Sequence, residues 1–145
     1  LNLVNGRVPL IIEYKVEQGN FDKLCSICNA ILADYNGPYC IESFHPLAVF
    51  WYRRHRPDII RGQLSEDFTR EKLTFPRFLL SHLIGNCYAS PDFVAYNCLH
   101  RKELSRVLCG SLYRSLRVAW TVRSKEELQE IAPFFDLYIF ENFLP

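Results

Sequence analysis

Apolar positions along this chain recur with two different periods, and segments of the two kinds follow one another from end to end. The first extended segment, Pro9–Val16, has a period of two, which is typical of a β-strand. One face of this strand is apolar and consists of Ile12, Tyr14 and Val16. The opposite face carries Ile11 and then two charges of opposite sign, Glu13 and Lys15. The pattern therefore predicts a strand that packs on one side and presents charge on the other.

Strands and helices are predicted in strict succession after this segment. The predicted strands are Pro9–Val16, Tyr39–Phe44, Asp58–Leu64, Phe93–Asn97, Arg117–Val122 and Leu137–Glu141. The predicted helices are Asn20–Tyr35, a segment from Pro46 that ends before Pro57, Phe75–Leu83, Arg101–Leu112, and a short helix opened by a capping box of Ser124 and Glu127. This order implies parallel strands with right-handed crossovers, in either a doubly wound sheet or a (β/α)₈ barrel. No Gly-rich loop follows a strand, which disfavours a dinucleotide or P-loop site.

Length and composition bound the class of protein. The chain has 145 residues, of which 49% are hydrophobic and 23% charged, enough for one globular domain with a core. A net charge of +1 argues against an electrostatic nucleic-acid surface, and no apolar run reaches the length of a membrane span. The absence of Met leads us to expect a processed or truncated piece, or part of a longer protein.

The six cysteines are expected to act as small buried hydrophobes. Cys25 and Cys28 have the C-x-x-C spacing, but no second close pair completes a zinc site, and the pair lies inside a helical pattern instead of opening a helix. The scatter of thiols through core-like segments predicts a reducing compartment, and we expect the cytoplasm.

Glu13 and Lys15 allow two interpretations. In a closed parallel barrel, the carboxyl end of the inner face is where chemistry takes place. The alternative is an edge strand with one face in water.

Five segments follow one another in a recognisable order. They are Val8-Pro9-Leu10-Ile11-Ile12-Glu13-Tyr14-Lys15, Ile41-Glu42-Ser43-Phe44-His45-Pro46, Ile60-Arg61-Gly62-Gln63-Leu64, Ala119-Trp120-Thr121-Val122 and Ile139-Phe140-Glu141-Asn142. They resemble, in turn, the IEIK strand, SF-D-P strand end, RGLL strand, WTVN strand and final strand of the glycerophosphodiester phosphodiesterase family. The resemblance implies that residues 1–145 form about the last six parallel strands of a (β/α)₈ TIM barrel, a partial domain that lacks the first two strands.

The same resemblance implies metal-dependent hydrolysis of a glycerophosphodiester to glycerol 3-phosphate and an alcohol. Glu13 matches a family ligand for a divalent cation, Ca²⁺ or Mg²⁺. The other acidic ligands and two proton-transferring histidines belong to motifs that this chain lacks. We therefore expect the chain alone to be inactive, with no catalytic residue of its own.

Three residues are predicted to contact substrate. Lys15 is a candidate phosphate contact, with charge balance for Glu13 as the alternative. Trp120 matches the family's barrel-mouth Trp and would wall the glycerol side, with core packing as the alternative. His100 follows the fourth strand and could face the barrel mouth, although none of the chain's histidines matches a catalytic position.

The chain also departs from the family pattern. His45 stands where the family often has an acid or Asn, Glu42 replaces a small or amide residue, and Glu141-Asn142 replaces Thr-Asp. We interpret these as changes to the head-group pocket or marks of a divergent subfamily. The predicted partners are the substrate and either a missing N-terminal segment or a second copy that covers the open sheet edges. A non-catalytic α/β binding or assembly module is the alternative function.

Overall fold

A computed structural model of the chain describes residues 1–17, 19–65, 89–98 and 115–145. Its strands are β1 (Leu10–Glu13), β2 (Tyr39–Ser43), β3 (Arg61–Ser65), β4 (Phe93–Asn97), β5 (Leu116–Val122) and β6 (Leu137–Phe140). Its helices are α1 (Phe21–Leu32), α2 (Pro46–His55) and α3 (Lys125–Ile131), the last followed by a 3₁₀ turn, Ala132–Phe134. The predicted helices Phe75–Leu83 and Arg101–Leu112 lie outside the described residues.

The six strands form one parallel sheet in which spatial order follows chain order from β1 to β6. A doubly wound sheet reverses its strand order at a switch point, and this sheet does not. The order is that of a barrel wall, so the predicted partial TIM barrel of parallel strands is confirmed.

Curvature of the sheet is visible in one aromatic contact. Phe44 follows β2 and Trp120 lies on β5, three strands away, yet their ring centroids are only 5.8 Å apart. Strands spaced about 4.8 Å apart would separate these positions by about 14 Å in a flat sheet. The sheet therefore bends so that the side chains on one face converge, and this face is the concave, inner side.

Two apolar clusters cover the convex face. The first joins β1 and β2 to α1 and α2, and its buried members are Tyr14, Cys25, Ile41, Ala48, Trp51 and Tyr52. The second joins β4, β5 and β6 to α3, and its buried members are Cys98, Ala119, Val122, Ile131 and Phe135. Ile12 and Val16 pack against the first cluster, which confirms the predicted apolar face of the first strand.

A third cluster lines the concave face. Leu64, Phe93, Ala95 and Val118 are buried there, and Cys40 and Ile139 pack against them from β2 and β6. The cluster is closed in the middle of the sheet and open at its margins, because Ile11 on β1 and Leu137 on β6 are each more than half exposed.

Several predicted boundaries differ from the observed ones. The third strand begins at Arg61 instead of Asp58, because Asp58 accepts hydrogen bonds from the Arg56 guanidinium at 2.8 and 3.1 Å and the backbone turns there. Helix α1 ends at Leu32, three residues before the predicted end at Tyr35. The Tyr35 hydroxyl accepts a hydrogen bond from the Gly6 backbone N–H at 3.3 Å, so Tyr35 serves the N-terminal turn instead of the helix.

One of the two hydrogen bonds of the predicted capping box is observed at the start of α3. Ser124 Oγ accepts a hydrogen bond from the Glu127 N–H at 3.1 Å, as a capping residue should. The Glu127 carboxylate accepts from the backbone N–H of Arg123 at 2.7 Å, one residue before the capping position. The helix start is therefore fixed by both side chains.

Candidate functional site

Two carboxylates lie side by side on the concave face. Glu13 ends β1, and the strand register pairs it with Glu42 of β2. Because alternate strand residues share a face, Glu42 points to the same side as Cys40, which packs in the concave cluster. The two differ in exposure, since the Glu13 side chain is 34% exposed and Glu42 is only 8% exposed. The β1 margin of the sheet thus carries one solvent-exposed carboxylate, Glu13, and one buried carboxylate, Glu42.

Glu42 is held in an environment that disfavours its charge. Burial, and then the neighbouring negative charge of Glu13, raise the pKa of the Glu42 carboxyl to about 7. Its Oε2 atom is buried and has no hydrogen-bond partner among the described residues. A buried carboxylate oxygen without a hydrogen-bond partner costs free energy, and binding a proton or a cation would remove this cost.

Residues of the next two strands contribute to the burial of Glu42. The register places Glu42 beside Gly62 of β3, and Gly62 beside Phe93 of β4. The Phe93 ring occupies the space that a side chain at Gly62 would take, with its Cζ atom 2.1 Å from an ideal Cβ at that position. The ring therefore reaches across Gly62 toward β2 and adds apolar surface on that side of Glu42.

Backbone hydrogen bonds hold the end of β1 against β2. The Tyr14 N–H donates to the Glu42 carbonyl at 2.8 Å. The buried Ser43 hydroxyl donates to the Tyr14 carbonyl at 2.7 Å and accepts from the His45 N–H at 3.1 Å, where α2 begins. Ser43 thereby ties the segment around Glu13 to β2 and to the first turn of α2.

Lys15 lies at the rim of the same margin. Its Nζ atom is 3.8 Å from Oε2 of Glu13, and its side chain is 78% exposed. An exposed ion pair of this length contributes little to stability, about 0 to 1 kcal/mol. Lys15 therefore lies near the Glu13 carboxylate while most of its side chain remains exposed to solvent.

Trp120 lies on the concave face of β5 and is half-buried. Its indole Nε1–H donates to the Ala95 carbonyl at 3.0 Å, and the Phe44 ring meets it edge to face. The pairing of β5 with β6 is irregular between Ala119 and Val122, and such irregularities re-aim side chains. The indole is thus fixed in orientation while part of its surface remains accessible.

Three other residues named from the sequence are His100, His45 and Glu141. His100 lies outside the described residues, so its place remains a prediction. His45 stacks on Phe21 of α1 with centroids 5.6 Å apart. Glu141 forms an ion pair with Arg123 at 2.8 Å on the surface.

Glu42 is the residue that sequence reasoning missed. It was interpreted as a change to the head-group pocket or a mark of a divergent subfamily, and the structure makes it the immediate neighbour of Glu13. Alternation in the sequence places Glu42 on the same face as Cys40, but its pairing with Glu13 is set by the strand register.

The donor chemistry of this margin fits a hard divalent cation, because Ca²⁺ and Mg²⁺ prefer carboxylate oxygens. The number of donors falls short of a complete site. Within the described ranges, no group of three or more His, Cys, Asp or Glu side chains converges on one point. Glu13 and Glu42 together are two carboxylate donors, fewer than a Ca²⁺ or Mg²⁺ ion takes.

Other observations concern cysteines and membranes. Cys25, Cys28, Cys40 and Cys98 are free thiols, and burial raises the pKa of Cys25 to about 12 and of Cys40 to about 11. The thiols of Cys25 and Cys40 therefore stay protonated, as expected of small core residues. None of the helices in the described residues is long and apolar enough to cross a membrane.

Comparison with known proteins supports the barrel on structural grounds. No family model and no curated protein matches the sequence. A Silicibacter pomeroyi DSS-3 protein, described as a putative glycerophosphoryl diester phosphodiesterase, superposes with a TM-score of 0.64 at 18% identity, over 90% of this chain and 46% of its own. An Oleispira antarctica phosphodiesterase, solved with its product sn-glycerol-3-phosphate, gives a TM-score of 0.65 at 14% identity, over 92% of this chain and 51% of its own.

The resemblance read from the five sequence segments therefore agrees with the structural comparison, which at these identities rests on fold. The chain spans about half the length of each of these proteins. Its six parallel strands are similar to part of the barrel of glycerophosphodiester phosphodiesterases.

Proposed function

We propose that this chain supplies the Glu13 side of the active site of a metal-dependent glycerophosphodiester phosphodiesterase. The observation that carries the proposal is the position of Glu13, at the carboxyl end of a parallel strand, on the concave face of a partial barrel and beside a second carboxylate. Active sites of such barrels lie at this end of the strands. A divalent cation bound there would offset the negative charge that develops on the phosphodiester.

The chain's own residues would hold and orient the substrate. Lys15 would contact a phosphate oxygen as a point charge, since most of its side chain is exposed. Trp120 would wall the glycerol side with its exposed indole surface, held in place by its hydrogen bond to Ala95. The family's two proton-transferring histidines belong to motifs that this sequence lacks, so the 145-residue chain alone is proposed to be inactive.

The proposed substrate is a glycerophosphodiester and the proposed products are glycerol 3-phosphate and an alcohol. Support comes from the Oleispira antarctica phosphodiesterase of similar fold, which was solved with sn-glycerol-3-phosphate. The cytoplasm is the proposed compartment, because the described cysteines are free thiols.

Calorimetric titration of Mg²⁺ and of Ca²⁺ into the full-length protein tests the assignment of Glu13. Glu13→Gln keeps the shape of the side chain and removes one negative charge, so cation affinity should fall at least about tenfold, which is about 1.4 kcal/mol. Glu130→Gln removes a charge from the exposed side of α3 and serves as the matched control, with unchanged affinity. Circular dichroism confirms that both variants fold.

Lys15→Ala separates the substrate contact from the cation site. We expect the KM for glycerophosphocholine to rise while cation affinity is retained, because Lys15 would meet the phosphate. Lys125→Ala, at the exposed start of α3, is the control. Unchanged cation affinity in a folded Glu13→Gln protein would instead favour the non-catalytic binding or assembly module.

A further inference from the structure

We propose that Glu42 is a second carboxylate ligand of the divalent cation, so that β1 and β2 together present an adjacent pair of acidic ligands. This inference deepens the proposed function and rests on it. No sequence motif assigned such a role to Glu42, which stands at a position where the resemblance leads one to expect a small or amide residue.

Geometry places the two carboxylates within reach of one ion. Glu13 and Glu42 are register partners on neighbouring parallel strands, and both side chains project from the concave face. Strands in a sheet are about 4.8 Å apart, a separation that two flexible carboxylates can span around a cation with bonds of about 2.0 to 2.6 Å. Hydrogen bonds through Tyr14 and Ser43 fix this register at the point where it matters.

The state of Glu42 is an independent observation that points to a ligand. Its side chain is more than nine-tenths buried, and Oε2 lacks a hydrogen-bond partner among the described residues. The partner carboxylate cannot satisfy it, because two carboxylates repel each other when both are ionised. A cation between them would fill the empty acceptor position and remove the repulsion at once.

The nearby lysine does not meet this need. Lys15 Nζ lies 3.8 Å from Oε2 of Glu13, and the Lys15 side chain extends into solvent. Within the described part of the chain, no ion pair involving Glu42 is formed. A proton is the other possible occupant, and the test must distinguish it from the cation.

The experiment is titration of Mg²⁺ and Ca²⁺ into full-length Glu42→Gln, Glu13→Gln and the double variant. Gln reproduces the shape of the protonated Glu42 side chain, so the fold should survive. We expect each single variant to lower cation affinity at least tenfold, with Glu130→Gln unchanged. The cation-induced rise in Tm gives a second readout and should shrink in both variants.

The outcomes separate this inference from the function beneath it. If Glu13→Gln weakens binding and Glu42→Gln does not, Glu42 holds a proton only and this inference is overturned while the proposed function stands. If both variants bind the cations as the unmodified protein does, both proposals fail. If only Glu42→Gln weakens binding, Glu13 is not a ligand, and the acidic pair is refuted.

Discussion

Replacing Gly62 with Ala tests how the concave face is packed beside the carboxylates. An ideal Cβ at Gly62 would lie 2.1, 2.2 and 2.8 Å from Cζ, Cε2 and Cδ2 of the Phe93 ring, whereas an ordinary van der Waals contact lies at 3.4–4 Å. The ring must therefore move by more than about 1 Å within a face that is packed to native density. Phe93 is only 8% exposed, so it has little free space to move into.

The expected loss of stability follows from two opposing effects. Overpacking a core position costs about 1 to 3 kcal/mol. The change from Gly to Ala recovers about 0.4 to 1 kcal/mol by restricting the unfolded chain. The net expectation for Gly62→Ala is a free energy of unfolding lower by about 1 to 2 kcal/mol.

The assay is urea denaturation of Gly62→Ala, Phe93→Leu and the double variant. Leu lacks the two ring atoms closest to the added methyl group, so the double variant should be more stable than the sum of the single effects predicts, by about 1 kcal/mol. A Gly62→Ala protein as stable as the unmodified protein, or strict additivity in the double variant, would show that the ring does not lie across Gly62.

Three further predictions concern activity, assembly and pH. The isolated 145-residue polypeptide should release no glycerol 3-phosphate from glycerophosphocholine with Mg²⁺ or Ca²⁺, and metal-dependent release would contradict the proposed incompleteness of its site. Because β1 and β6 are the outer strands of the described sheet, the isolated polypeptide should associate or aggregate unless a segment or second copy covers them; a cooperatively melting monomer with both strands open would refute this. Hydrogen bonds from Arg117 lower the pKa of Asp136 to about 2. Asp136→Asn should therefore lower the free energy of unfolding at pH 7 by about 1 kcal/mol, a value reduced because the Arg117–Asp136 pair is partly exposed to solvent. Since the folded pKa lies below the usual 3.8, this stability is present above that pH and is lost as pH falls toward 2, so denaturation curves of the two proteins should converge there.

The architecture was predictable because strand and helix patterns follow one another in strict succession along the chain. Phe93–Asn97 was predicted with its observed bounds, since a buried parallel strand reads as a short apolar run with clear ends. The start of the third strand was missed, because Asp58 and Arg56 are bonded to each other in a turn, and propensity does not show a contact between two side chains. Tertiary contacts likewise ended α1 early, at a helix end that Asn36-Gly37 marked only approximately.

The position of Glu13 on the charged face of its strand was predictable, whereas its surroundings were predictable only in part. Alternation was sufficient to separate Glu13 from the apolar face of its strand. It could not show that Glu42 would be its neighbour, because register depends on hydrogen bonds between strands that are 25 residues apart in the chain. The burial of Glu42 depends in turn on the Phe93 ring of β4, which is still more distant in sequence.

The pairing of β1 with β2 also has a consequence for folding specificity. If β1 slipped by one residue, Glu13 would turn toward the apolar layer formed by α1 and α2, and Tyr14 would lose its buried hydroxyl contact with Tyr52, now at 2.6 Å. Burying an uncompensated carboxylate in that layer costs on the order of several kcal/mol. The charge of Glu13 therefore makes the misaligned pairing of β1 less stable than the observed one. The acidic residue proposed to hold the cation thus also keeps the first strand in its correct alignment before any cation binds.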